Sequence, residues 1–319
     1  MLDLESEVGT EQIQAFADDG YLVIQLLRDD EIAALKSDVD DLVAARIRTP
    51  TLDLERSAET TERISRLVRS PLLQQLPAAT RRAHEMPHIG RLTWHPRIMA
   101  VLDRIMATWQ PRAEWTLSGG TPPVIEQPDD PARSRYVFHH INAARHDAGT
   151  PGLPWHHDYD QFPQTNRSHL EVHVLIYLNG LDGTIGDLML VPGTHRSVAS
   201  KRALWFMGWQ PLPGAVVIDD LPPGAAVVMH SAMFHARIQK PGGEGNPRYF
   251  LDCSYSQGGI RWPSTYIGSH RLLRERHLAE GGDRPWLFDE SQFFDAVGPY
   301  NVIEAARGSM LTDASPSLS

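Results

Sequence analysis

Three side chains in this chain are spaced so that they could hold one metal ion. His156 and Asp158 flank His157, and His235 follows in a distant segment, with Arg248 beyond it. Two imidazoles and one carboxylate grip a non-haem Fe(II) by one face and leave its other positions open to reactants. Residues i and i+2 of an extended segment point to the same side, so His156 and Asp158 can reach one ion while His157 turns away. The long interval before His235 excludes the closed knuckle of a structural zinc site. His230, which ends the same apolar run, competes with His235 for the third place, and the distance to Arg248 favours His235. Arg248 carries a permanently charged planar fork that fits a carboxylate with two parallel hydrogen bonds. Each residue has a plainer reading: a His-x-Asp pair can fix a loop, and Arg248 can pair with Asp252.

Positioning these groups requires strands. Leu170, Val172, Val174, Ile176 and Leu178 alternate with Glu171, His173, Leu175 and Tyr177, which is the period of a strand with one core face. Asn179-Gly180 and Asp182-Gly183 supply turns, Leu188 to Val191 resumes an apolar run, and Ala225 to Met229 is another buried strand. Arg248 to Tyr255 alternates as well, with Arg248, Phe250, Asp252 and Ser254 on one face. The strand before His156 does not declare its face: either Phe138, His140 and Asn142 or Val137, His139 and Ile141 point inward. Several short strands with Pro and Gly corners predict a jelly roll. Helices are expected over Glu11–Asp19, stopped by Gly20, over Asp29 or Asp30 to about Arg46, and over Arg271–Ala279 and Glu290–Val297.

The sequence resembles the phytanoyl-CoA dioxygenase family of Fe(II)/2-oxoglutarate-dependent oxygenases. The likeness rests on Trp155-His156-His157-Asp158 with Phe162-Pro163 after it, on Val191-Pro192-Gly193-Thr194-His195-Arg196, and on His235 followed by Asn246 and Arg248. At the start of the chain, Phe16 to Ile24 is similar to the family's opening helix and strand. The resemblance covers the first 45 or so residues and about 136–255; Thr49 to Arg135 matches nothing in it. It implies a mainly β fold with flanking helices around a double-stranded β-helix, a cupin-like jelly roll. His156, Asp158 and His235 would be the iron ligands, and Arg248 would grip the distal carboxylate of 2-oxoglutarate. Fe(II), 2-oxoglutarate and O2 would be the cofactor and co-substrates, with succinate formed. His173, Leu175 and Asn142 are further candidates for contacts with the bound co-substrate. Related halogenases lack a carboxylate at the place of Asp158, so its presence here argues for hydroxylation or another oxidation. Two departures concern loops: the stretch from His235 to Arg248 is somewhat long, and Gly186-Asp187 stands where many members carry Asn-Gly.

Composition sets the remaining expectations. A chain of 319 residues reads as one oxygenase domain over 1–307, with its jelly-roll core at about 136–257 and a loose tail at 308–319. The single cysteine, Cys253, excludes an intrachain disulfide, and the acidic start lacks the blocks of a signal peptide, so a cytoplasmic setting is expected. No apolar run approaches membrane-spanning length, and a net charge of −10 argues against nucleic acid. Arg56, Arg63, Arg66, Arg69, Arg81 and Arg82 concentrate positive charge, read first as a solvated helix face and second as a site for an anion. Trp205, Phe206 and Trp209 form an aromatic stretch that packs a core or covers a substrate. The expected partner is a small molecule, of natural-product or amino-acid type. A non-redox metal hydrolase or isomerase would have no need of Arg248, and a binding protein with a vestigial site would be expected to have lost one of the four residues.

Overall fold

The computed structural model describes residues 1–3, 7–48, 83–108, 136–150, 152–159, 169–184, 186–197, 199–238, 245–264 and 267–295. The arginine cluster between Arg56 and Arg82, Phe162-Pro163 and the tail from 308 lie outside them.

In chain order the core strands are β1 (Tyr21–Gln25), β2 (Tyr136–His146), β3 (Leu153–His156), β4 (Glu171–Tyr177), β5 (Leu188–Leu190), β6 (Val216–Ile218), β7 (Ala225–His230), β8 (His235–Arg237) and β9 (Arg248–Gln257). They build a five-stranded sheet, β1-β7-β4-β9-β2, and a four-stranded sheet, β3-β8-β5-β6. The pairings in both are antiparallel. Two such sheets facing each other form the expected jelly roll.

The alternation in β4 sorts residues between two cores. Val172, Val174 and Ile176, with Leu170 and Leu178, join a cluster shared with the helices, whereas Leu175 and Tyr177 meet Leu188, Leu190, Val227 and Met229 between the sheets. Every residue of β4 is therefore buried, because helices cover the face that water would otherwise wet. Those helices are α1 (Thr10–Asp19), α2 (Asp29–Arg48), α3 (Pro87–Leu92) and α4 (Pro96–Thr108). α2 contributes Ile32, Leu35, Val39 and Leu42 to the outer core. Its Asp38 carboxylate accepts from the N–H groups of His88 and Ile89 at 2.7 and 2.9 Å, satisfying donors that the start of α3 leaves open.

Gly20 ends α1 with φ 86° and donates its N–H to Phe16 O at 2.8 Å. A Cβ there would also collide with Met233 and His195, so the position requires glycine for conformation and for space.

Two sequence expectations need correction. β2 carries a bulge between Phe138 and His140, which reverses its alternation midway. Tyr136, Phe138, Ile141 and Ala143 accordingly pack the outer core, so Phe138 does not share an inward face with His140 and Asn142. Beyond α5 (Lys201–Trp205) and α6 (Ile267–Ala279), the stretch expected as a helix from Glu290 begins as a single 3-10 turn, Glu290–Gln292, followed by a strand. The Asp289 side chain accepts from Ser291 N at 3.0 Å, a local bond that competes with helix continuation. Phe293, stacked on His139 with ring centroids 5.6 Å apart, then fixes β11 (Phe293–Asp295) parallel to β10 (Trp262–Ser264). No helix among the described residues is long and apolar enough to cross a membrane.

Candidate metal centre and its cavity

β3 and β8 are neighbours in the smaller sheet, and their register sets His156 opposite His235. Trp155 and Ala236 face outward into a satellite core with Met189 and Leu204, which leaves both histidines on the interior side. The two imidazole centroids stand 4.1 Å apart. Asp158 follows the end of β3, its N–H held by Ser231 O at 2.8 Å and its carbonyl accepting from Lys201 Nζ at 2.8 Å. From there its carboxylate faces both rings: Oδ1 is 3.6 Å from His156 Nε2 and Oδ2 is 3.3 Å from His235 Nε2.

The tautomers follow from the backbone. His156 Nδ1 lies 2.7 Å from Pro154 O and His235 Nδ1 lies 3.1 Å from Met233 O. A carbonyl oxygen only accepts, so both Nδ1 atoms carry a proton and both Nε2 atoms are turned toward Asp158. Two imidazole Nε2 atoms, their rings oriented by backbone carbonyls, and a carboxylate facing both fit a divalent ion that leaves coordination positions open. Burial, followed by the proximity of His235, holds the His156 pKa down to about 3. Burial pushes the Asp158 carboxyl up, but His235 and His173 outweigh it and hold that group well below the usual range.

His157 turns away and meets Ala199 O at 3.0 Å through Nε2. His230 shares the β7 face of Ala226 and Val228, which belongs to the outer core, and its Nδ1 accepts from Ala232 N at 3.0 Å. Strand parity thus separates it from the trio that includes His235.

β4, β9 and β2 of the larger sheet bring further polar groups to the trio. His173 Nδ1 is 2.9 Å from Asp252 Oδ1 and 3.9 Å from Asp158 Oδ2, linking the trio to the larger sheet. Burial pushes the His173 pKa down, yet Asp252 and Asp158 together carry it up to about 10. His140 Nε2 is 3.9 Å from Asp252 Oδ2, so His140, His173 and Asp252 form a second group whose ligand atoms lie within 4.8 Å of one another. Asn142 is half-buried and pairs in register with Asp252. Leu175 lies in the apolar interior with Tyr177, Leu188, Leu190 and Met229.

Arg248 is buried at the start of β9. Its Nη1 donates to Gly186 O at 2.6 Å, its Nη2 donates to Tyr177 OH at 3.4 Å, and its Cζ lies 4.9 Å from the Tyr177 ring centroid. Asp252 is instead bonded to His173, which overturns the simple Arg248–Asp252 pair: four residues along a strand separate them by about 13 Å. Beside the trio, the Trp205 ring centroid lies 6.2 Å from that of His156. Trp205, Phe206, Met207 and Trp209 remain 46%, 78%, 46% and 37% exposed, so the aromatic stretch is a surface beside the trio and not a core.

Several polar residues here were not singled out by sequence reasoning. Glu171 is fully buried, with Oε1 2.8 Å from His139 Nδ1, and the same ring meets Pro263 O at 2.7 Å. The β2 bulge that turns His139 leaves no periodic trace in the sequence. Arg237 and His146, joined across 2.7 Å, were also passed over. The position of Arg237 two residues after His235 on a strand would have placed it on the same inner face.

The family described as phytanoyl-CoA dioxygenase matches residues 16–236. Among solved structures, the non-haem α-ketoglutarate-dependent epimerase SnoN from nogalamycin biosynthesis is similar at 14% identity, covering 78% of this chain and 83% of its own, with a TM-score of 0.51. The carbocyclase SnoK from the same biosynthesis is 13% identical over 83% of this chain and 90% of its own, with a TM-score of 0.51. AviO1 from Streptomyces viridochromogenes Tue57 is 15% identical over 81% of this chain and 99% of its own, with a TM-score of 0.50. At such identities the likeness shows the shared fold. No curated protein matches the chain.

Proposed function

The chain belongs to the phytanoyl-CoA dioxygenase family, whose members are non-haem iron enzymes using Fe(II), 2-oxoglutarate and O2, and from that premise we propose that it hydroxylates a small organic molecule at an iron held by His156, Asp158 and His235. The observation that carries this reading is the seating of the two rings. Pro154 O and Met233 O fix both Nδ1–H groups, so both Nε2 atoms are free to ligate at the side where Asp158 stands.

Bound there, Fe(II) with 2-oxoglutarate and O2 supplies the oxidising power to break a C–H bond, the keto acid leaving as succinate and carbon dioxide. The protein's share is binding, orientation and exclusion of water. Arg248 takes the distal carboxylate of 2-oxoglutarate, its guanidinium held in place by Gly186 O and the Tyr177 ring. Leu175, Leu188, Leu190 and Met229 pack a dry interior between the sheets, and a dry surround strengthens that ion pair. Asp158 stays ionised and so remains a ligand over the whole neutral range.

On the opposite side, Asp252 is held by His173 and faces the cavity beside His140 and Asn142. A hydroxyl or amine of the substrate would donate to this wall. With one carboxylate oxygen already bonded to His173, the wall serves substrate binding better than a second ion. The exposed Trp205 and Phe206 offer an apolar platform beside His156 for the rest of the molecule. A polar group fixed deep and a ring or chain held at the mouth suit a small natural product.

SnoN is an epimerase and SnoK a carbocyclase, so the same fold serves outcomes other than hydroxylation. The experiment is therefore in two parts. Purified protein with Fe(II), 2-oxoglutarate and O2 is expected to form succinate, and omission of Fe(II) or its replacement by Zn(II) to abolish it. Product mass then discriminates: one added oxygen supports hydroxylation, loss of two hydrogens ring closure or desaturation, and an unchanged mass epimerisation. Turnover sustained by Zn(II) without succinate would overturn the oxidative reading in favour of a hydrolase or isomerase.

A further inference from the structure

Arg237 is a second, half-buried guanidinium close to the buried Arg248. It follows His235 by two positions on β8, so its side chain enters the barrel from the face that carries the metal-ligand candidate. Its Nη1 donates to His146 Nε2 across 2.7 Å. His146 in turn is the register partner of Arg248 in the β2–β9 ladder. Gly186 marks where the two arginines meet: a Cβ on it would stand 3.1 Å from Arg237 Cδ and 3.2 Å from Arg248 Nη1.

Two guanidiniums side by side can share one anion through parallel charged hydrogen bonds. Asp187 offsets part of the positive charge at Arg248. His146, held neutral by burial and by both arginines, adds an orienting acceptor for Arg237 and no charge of its own. Two forks, one tethered by His146 and one by Gly186 O, are a pre-arranged receptor for a carboxylate.

We propose that Arg237 is a co-substrate-binding residue that, with Arg248, holds the distal carboxylate of 2-oxoglutarate and makes the site selective for keto acids that carry one. The proposal rests on the reading of the site as an iron and 2-oxoglutarate centre.

The test uses the full chain loaded with Mn(II) in the absence of O2, with binding read by calorimetry. The probes are 2-oxoglutarate and 2-oxobutyrate, which share the chelating keto acid but differ in the distal carboxylate. Arg237→Gln is expected to weaken 2-oxoglutarate roughly 10-fold or more, the effect of losing one charged hydrogen bond, while 2-oxobutyrate and Mn(II) affinities move less than about 2-fold. Arg237→Lys, which keeps charge and bulk but loses the fork, is expected to fall between. Should Arg237→Gln not fold, the lysine variant decides by the same contrast between the two acids. Unchanged 2-oxoglutarate affinity, or an equal loss for both acids, overturns the proposal and leaves Arg237 a structural tie to His146. A wild-type protein that binds neither acid would instead sink the reading of the site itself.

Discussion

Replacing Gly186 by alanine tests whether the end of the cavity is built around Arg248. The residue has φ +48°, and its added Cβ would meet Arg248 Nη1 at 3.2 Å and Arg237 Cδ at 3.1 Å. A non-glycine residue in the left-handed region costs about 1–2 kcal/mol. Relieving the two close approaches requires shifts of a few tenths of an ångström. Arg248 cannot yield freely, because its Nη1 is bonded to the carbonyl of the same Gly186 at 2.6 Å. The fork therefore tilts, and a carboxylate held by two bonds keeps one good one. Losing one charged hydrogen bond is worth about 1.5–3 kcal/mol, so 2-oxoglutarate should bind roughly 10- to 100-fold more weakly. The backbone term alone should lower the melting temperature of a chain this long by about 1.5–3 °C. Calorimetry with Mn(II)-loaded protein reads the first effect, thermal denaturation the second, and metal affinity serves as the control. A variant with the expected loss of stability but wild-type 2-oxoglutarate affinity would refute the placement of the carboxylate at Arg248.

Asp158→Ala should abolish succinate formation and weaken metal binding while far-ultraviolet circular dichroism stays native, since the residue lies beyond the end of β3 and outside the ladders; full turnover would show the ligand set to be wrong. Arg248→Lys should raise the Kd for 2-oxoglutarate about 10-fold or more with little change in metal affinity, because the ammonium keeps the charge and loses the bidentate fork; equal losses for both would contradict its role. The metal-free protein should be most stable near neutral pH. Burial holds His169 at about 4, and burial with His235 holds His156 at about 3, against 6.5 for an ordinary histidine. Below about pH 6.5 the unfolded chain therefore binds more protons, and stability falls by up to about 1.4 kcal/mol per pH unit for each group. His173 acts in the opposite sense: burial lowers it, Asp252 and Asp158 raise it to about 10, so its contribution is complete below 6.5 and is lost as pH climbs toward 10. A denaturation free energy that stays flat from pH 5 to 9 would contradict these assignments.

What the sequence made legible is what periodicity records. In β4 the even positions are uniformly apolar and the odd ones mixed, and the two sets go to different cores. The His-x-Asp spacing and the fork of Arg248 were readable because their chemistry is local to one or two residues. β2 was not readable, since a bulge at one residue reverses which side chains face inward and no composition signal marks it. Glu290 onward looked helical from its polar and apolar spacing, yet the Asp289 side chain and the stacking of Phe293 on His139 favour a turn and a strand. The distance to Arg248 already favoured His235 over His230, and the parity of β7, which puts His230 on the outer-core face with Ala226 and Val228, adds a physical reason that only the paired strands supply. Arg237 and the His139–Glu171 pair were missed for a common reason: a charged residue reads as surface until a fold shows that a partner is buried with it.

The central claim is that His156, Asp158 and His235 seat Fe(II) with 2-oxoglutarate bound beside it. Mixing the protein with Fe(II) and 2-oxoglutarate without O2 tests it most directly, through the visible charge-transfer absorption that arises when a 2-oxo acid chelates ferrous iron. The wild-type protein should develop this band, Arg248→Lys should require more keto acid to reach it, and His156→Ala and His235→Ala should not show it. No band from wild-type protein shown to hold both ligands, or an intact band after either histidine is removed, would contradict the account.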